Sequence, residues 1–126
     1  ALSQLAGDVL ADSTWRAEVR CPDDLVVPAA VAGPLLQIVG EAVANARKHS
    51  GGSRVEIVVR PEVDDVVVDV SDDGAGFDTA VPAPHGHFGR SVMRARAAAA
   101  GGTLETTSAP GGGTTVRLVL PVPANA

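Results

Sequence analysis

The residue pattern predicts a two-layer α/β sandwich, with helices covering one face of a mixed, mainly antiparallel sheet. Three observations carry this expectation. Residues 35–50, LLQIVGEAVANARKHS, repeat apolar side chains at spacings of three and four, the signature of an amphipathic helix. Residues 54–60 and 66–70 alternate apolar with polar side chains on either side of a turn, which reads as an antiparallel hairpin. A second pair of strand-like segments, 104–108 and a last one that carries Val116, Leu118 and Leu120 and ends at Pro121, follows an Ala-rich helical stretch. The order is strand, long helix, hairpin, glycine loop, helix, hairpin, with no internal repeat. A chain of 126 residues is one domain with room for a single two-layer core.

Taken in order, Leu2, Leu5, Ala6, Val9 and Leu10 have helical spacing, and the short helix they predict stops near Asp12 and Ser13. Residues 1–14 are therefore read as a leading helix or the end of a linker. WRAEVRC at 15–21 alternates well enough for an edge strand. Pro22-Asp23-Asp24 is a turn signal. Pro28 and Pro34 are expected near helix starts, where a missing N–H costs nothing. The main helix carries Leu35, Ile38, Val39, Ala42, Val43 and Ala46 on its apolar face and ends at Ser-Gly-Gly-Ser 50–53, glycine suiting the left-handed position after a helix. Val55, Ile57 and Val59, then Val66, Val68 and Val70, form the inward rows of the first hairpin. Pro82 and Pro84 forbid regular structure over 79–85. Gly101 and Gly102 cap the second helix, Val116, Leu118 and Leu120 face inward on the last strand, and residues 122–126 form a frayed tail.

Composition narrows the function. Apolar residues make up 45% of the chain, but with two Phe, one Trp and no Tyr the core must be built from small and β-branched side chains. A net charge of −5 without a basic cluster, and the lack of aromatic platforms, argue against nucleic acid as a partner. The single Cys21 excludes an internal disulfide and is compatible with a reducing compartment. No apolar run approaches the length of a membrane span, so the chain is expected to be soluble and to make no membrane contact. The lack of an initiator Met points to a fragment or a processed product.

Chemistry concentrates in four places. On the main helix, Glu41, Asn45, Lys48 and His49 lie four, three and one apart, a polar stripe roughly a quarter to a third of a turn from the apolar one. A carboxylate, an amide and a cation are thus aligned at the edge of a buried face; the plain alternative is a wet flank. Asp72-Asp73-Gly74-Ala75-Gly76 ends the second strand, where carboxylates are costly unless paired. Asp-Gly is also a common turn dipeptide. An ionised carboxylate is a pure acceptor suited to an exocyclic amine, and the glycines let backbone approach a flat ligand. Gly86-His87-Phe88-Gly89 precedes a helix, whose N-terminus is a natural phosphate cradle, or is simply a linker. His85 and His87 lack a third ligand at a defined spacing, which leaves metal binding there weakly supported. Residues 110–113, Pro-Gly-Gly-Gly, read as a tight turn before Thr114 and the last strand.

The set Glu41-x-x-x-Asn45-Ala-x-Lys48-His49, Asp72-Asp73-Gly74-Ala75-Gly76-Phe77, Gly86-x-x-Gly89 and Gly111-Gly112-Gly113-Thr114 resembles the ATP-binding catalytic domain of bacterial sensor histidine kinases. These match, in order, the family's N box, G1 box, G2 box and closing strand across residues 15–121. Met93-Arg94-x-Arg96 looks most like kinases paired with response regulators of the NarL type, within the gyrase, chaperone and kinase ATPase superfamily.

The resemblance implies roles. Asn45 would ligate Mg²⁺ bridging the phosphates of ATP, Glu41 would sit beside the metal or order a water near the γ-phosphate, and Lys48 and His49 would face the phosphates. Asp72 would accept from the adenine amino group, Gly74 and Gly76 would line the base, and Thr114 would support that end through its hydroxyl. Gly86 and Gly89 would shape the loop over the triphosphate, with His87 in the same nucleotide-binding set. The chain departs from the pattern where Phe88 precedes Gly89 and Arg90 follows it, and where the stretch between Phe77 and Gly86 is short. No acceptor histidine is recognisable. The implied partner is a separate histidine phosphoacceptor and dimerisation domain, with a response regulator reached indirectly, in a cytoplasmic setting. The other readings are a degenerate nucleotide-binding or protein-docking module, and an anti-sigma-factor-like serine kinase of the same superfamily, which would phosphorylate a small protein substrate.

Overall fold

Branched aliphatic residues at every second position build one five-stranded sheet, and three helices bury its inward face. The computed structural model describes residues 2–11, 13–22, 25–49, 51–76 and 89–122. Its elements are α1 (Leu2–Val9), β1 (Arg16–Arg20), α2 (Ala29–His49), β2 (Arg54–Pro61), β3 (Asp65–Asp72), α3 (Gly89–Ala99), β4 (Thr103–Ser108) and β5 (Thr114–Pro121). The strand order is β1-β2-β3-β5-β4. β1 runs parallel to β2, and every other neighbouring pair is antiparallel. The α/β two-layer sandwich expected from the pattern is therefore the observed architecture, with 15–21 supplying an edge strand.

The core lies between sheet and helices. Val55, Ile57 and Val59 of β2, Val66, Val68 and Val70 of β3, and Val116, Leu118 and Leu120 of β5 are buried against Leu35, Ile38, Val39, Ala42 and Val43 of α2 and Met93 and Ala97 of α3. With so few aromatics, close packing of branched aliphatics does the work that large rings do elsewhere, at roughly 1.5–3 kcal/mol per fully buried side chain. Ala6 and Leu10 bring α1 into the same cluster.

Two expectations need correcting. The main helix starts at Ala29, six residues before the apolar pattern suggests, so Pro34 stands inside it and not near its start. Pro34 has no N–H to give to the preceding turn, a loss of one bond. The usual clash of a proline ring with the Cβ of the residue before it is absent, because that residue is Gly33. Pro28 does behave as expected, its carbonyl accepting from Val31 and Ala32 at 2.9 and 2.8 Å to open the helix. Second, Ala29–Lys48 is by length and composition apolar enough to cross a membrane, contrary to the reading that no run approaches a span. Its apolar face is occupied by the sheet.

α3 ends as predicted. Gly101, at φ 82°, donates to Ala98 O and Gly102 donates to Ala97 O, so the two glycines satisfy carbonyls the helix leaves open. On the far face of the sheet, Val67 is buried and pairs across the strands with Arg60 and Val119. Asp69 accepts from Arg117 Nε at 2.8 Å and Nη2 at 3.1 Å. Cross-strand pairs Arg54–Glu18 and Arg20–Glu56 fasten β1 to β2.

Candidate functional site

At one end of the sheet the inward rows turn from apolar to polar. On β3 the row Val66, Val68, Val70 continues to Asp72; on β5 the row Leu120, Leu118, Val116 continues to Thr114; and Asp72 pairs with Thr114 across the strands. Ser108, at the end of β4, pairs with Thr114 in turn. Asp72 is half-buried. Its Oδ1 accepts from the Gly74 N–H at 2.8 Å. Burial lifts its carboxyl above the ordinary aspartate value, and the backbone amides of Gly74 and Thr114 pull it partly back. The Thr114 hydroxyl lies 2.8 Å from Ser108 Oγ, which also donates to Gly113 O at 3.0 Å. Thr106 Oγ1, further along β4, is buried with no hydrogen-bond partner among the described residues.

The turns beyond these strands are packed backbone to backbone. Gly76, at φ 68°, lies so close to the other turn that a Cβ would fall 2.1 Å from Ala109 O. Gly113, at φ 73°, would place one 2.2 Å from Asp72 O. Only glycine permits both the left-handed backbone and the approach. The expected glycine at 76 thus has a concrete packing reason.

Asp73 plays a part that sequence reasoning missed. Its carboxylate accepts from Ser53 N, Arg54 N and Ser53 Oγ at 2.8, 2.9 and 3.1 Å. The amides of Ser53 and Arg54 hold it below the ordinary aspartate value. Asp73 therefore ties the connection leaving α2 to the turn that carries Asp72. Gly52 makes room for this tie, since a Cβ there would fall 2.4 Å from Asp73 Oδ1. The only sequence signal was the adjacency of the two aspartates.

Along α2, Glu41 and Asn45 are half-buried and Lys48 is exposed, so the stripe does run along the edge of the buried face. α2 packs against β3, β5 and α3. Glu41 Oε1 lies 3.1 Å from Arg96 Nη2 of α3, an interhelical pair that the pattern did not reveal. Asp72, Gly74, Gly76 and Thr114 come together as one cluster; Glu41, Asn45 and Lys48 share one helix edge. Gly89 opens α3. Gly86, His87 and the side chain of His49 lie outside the described residues. Among the described residues no group of three or more His, Cys, Asp or Glu could hold a metal.

Comparison with known proteins gives a consistent result. The chain is 41% identical over 86 residues to the nitrate/nitrite sensor protein NarQ of Escherichia coli, covering 67% of this chain and 15% of that protein. It is 33% identical over 124 residues to a sensor protein NarQ homolog of Haemophilus influenzae, covering 96% and 22%. The chain thus spans about a fifth or less of the length of these relatives. Among solved structures, the histidine kinase domain of the Erythrobacter litoralis EL346 blue-light activated histidine kinase superposes with a TM-score of 0.78 at 25% identity, covering 96% of this chain and 59% of that one. A family profile described as histidine kinase-, DNA gyrase B- and HSP90-like ATPase matches residues 30–124, from the first turn of α2 past the end of β5, and the chain belongs to that ATPase family.

Proposed function

We propose that residues 15–121 are the ATP-binding catalytic domain of a sensor histidine kinase. It donates the γ-phosphoryl group to a histidine on a separate phosphoacceptor and dimerisation domain, for relay to a response regulator. The relatives' identity as sensor proteins supports this, and so does the order of the motifs. The observation that carries it is the polar end of the inward rows, where a half-buried carboxylate, Asp72, is fixed by the Gly74 and Thr114 amides. Held in place and acceptor-only when ionised, it suits the adenine amino group, and Gly74 and Gly76 of the same turn would line the base.

The phosphates would lie along the α2 edge, with Asn45 as the metal ligand, Glu41 beside it, and Lys48 and His49 toward the phosphates. Gly86, His87 and Gly89 would complete the nucleotide-binding set. An amide oxygen and a carboxylate fit Mg²⁺, which takes one or two protein oxygens and draws the rest of its shell from phosphates and water. When bound, the ion neutralises charge on the phosphates. The chain's own contribution is orientation: phosphoryl transfer needs placement and charge balance more than covalent help. The domain works in the cytoplasm of a parent kinase, and the attacking imidazole comes from outside this chain.

Calorimetric titration of ATP, with and without Mg²⁺, tests the assignment. Saturable binding strengthened by Mg²⁺ is expected. Asn45→Ala should abolish the strengthening, and Asp72→Ala should weaken ATP and ADP alike. Native affinity in both variants would overturn the site.

A further inference from the structure

Arg96 of α3 reaches across to the polar edge of α2. It stands two turns beyond Gly89, and its Nη2 meets Glu41 Oε1 one turn before Asn45 on the same helix edge. The pair is poorly suited to mere helix fastening. Both side chains are about a third exposed, 36% and 29%, a setting in which ion pairs add little to stability. Arg96 Nε is buried and has no acceptor among the described residues, and a buried donor without a partner is a cost to stability. An arginine kept for fastening would close its fork on the carboxylate with two parallel bonds. An apolar chain such as Met would pack Met93 and Ala97's helix against α2 at no such cost.

We propose that Arg96 is a positioning residue of the nucleotide site: it holds the Glu41 carboxylate in one orientation beside Asn45, at a net expense to stability. This rests on the ATP-site reading given above. Through Nη2 the guanidinium sets a permanent charge beside one carboxylate oxygen, on a longer and stiffer head group than a lysine ammonium offers. Through this contact α3, which begins at Gly89, and the metal-binding edge of α2 are set relative to one another. Glu41 is thereby a residue with a defined aim, not a free acid on a wet flank.

The experiment compares native chain, Arg96→Met and Arg96→Lys by thermal melting without nucleotide and by ATP titration with and without Mg²⁺. Arg96→Met should melt at or above the native temperature, yet lose about tenfold in the Mg²⁺-dependent gain in ATP affinity. Metal-free ATP binding should stay close to native, and Arg96→Lys should recover only part of the gain. A native Mg²⁺-dependent gain in Arg96→Met overturns the proposal, whatever its melting temperature. Should that variant fail to fold, Arg96→Gln decides on the same readout, and an unchanged gain again overturns it. Failure of the native chain to bind ATP is a different result, which removes the ATP-site reading and this proposal together.

Discussion

Gly76→Ala measures how tightly the two turns at the polar end of the sheet are locked. Gly76 sits at φ 68°, and a Cβ there would lie 2.1 Å from Ala109 O and 2.8 Å from Gly113 O. The left-handed backbone alone costs an alanine about 1–2 kcal/mol. Lower freedom in the unfolded chain returns about 0.5 kcal/mol. The larger share is steric. A backbone oxygen cannot swing aside as a side-chain end can, so the turns must part by roughly 1.3 Å or more to reach ordinary contact. The bond from Gly111 N–H to Ala75 O spans the same gap and would go with it, about 1 kcal/mol more. The expected destabilisation is about 3 kcal/mol by urea unfolding, with ATP binding weakened as the turn opens. Gly111→Ala is the internal control. It shares the backbone problem at φ 79° but would meet nothing within 4 Å, so about 1 kcal/mol is expected. Equal losses at the two positions would refute the packing argument.

Asp72→Asn should separate binding from stability. The ordinary burial of its carboxyl raises its folded-state pKa, so ionisation is disfavoured in the fold; that cost is present above the folded pKa and vanishes below the ordinary aspartate value. Melting temperature should therefore hold or rise at neutral pH and match the native chain in acid, while ATP affinity falls about tenfold in calorimetry. Asp73→Ala should behave in the opposite sense. Its depressed pKa means a contribution that is full above the ordinary aspartate value and is lost as pH falls through the folded value. Circular-dichroism melts should show a clear deficit at neutral pH that closes as the solution is acidified.

Much of the fold was legible because period and face coincide. Val55, Ile57 and Val59 read as one inward row and are one, and the same holds for Ile38, Val39, Ala42 and Val43 on α2. The start of α2 was not legible, because AAVAGP at 29–34 offers two helix-weakening residues and only its position over the sheet makes it helical. Val67 shows a second limit: alternation assigns it to the open face, yet it is buried there, with Arg60 and Val119 as its cross-strand neighbours. At the candidate site, residue types announced Asp72, Gly74 and Gly76, since a carboxylate and glycines closing a valine strand need a reason. Pairings that cross the sequence announced nothing. Asp73 with Ser53, Ser108 with Thr114 and Arg96 with Glu41 each join segments whose meeting is a product of topology.

The parallel pairing of β1 with β2 has a consequence for synthesis. Arg16 lies opposite Arg54, 38 residues later, whereas β2 with β3 and β4 with β5 are joined by short turns. Hairpins can close as soon as they exist, but a distant partner must first be brought back at an entropic cost. On a ribosome the order is the reverse of convenience: α1, β1 and the apolar flank of α2 emerge before any strand that can cover them. Until residue 61 has cleared the exit tunnel, a bare strand edge and a greasy helix face travel together. The charges on that edge, Arg16, Glu18 and Arg20, keep the waiting strand from pairing with a neighbouring nascent chain.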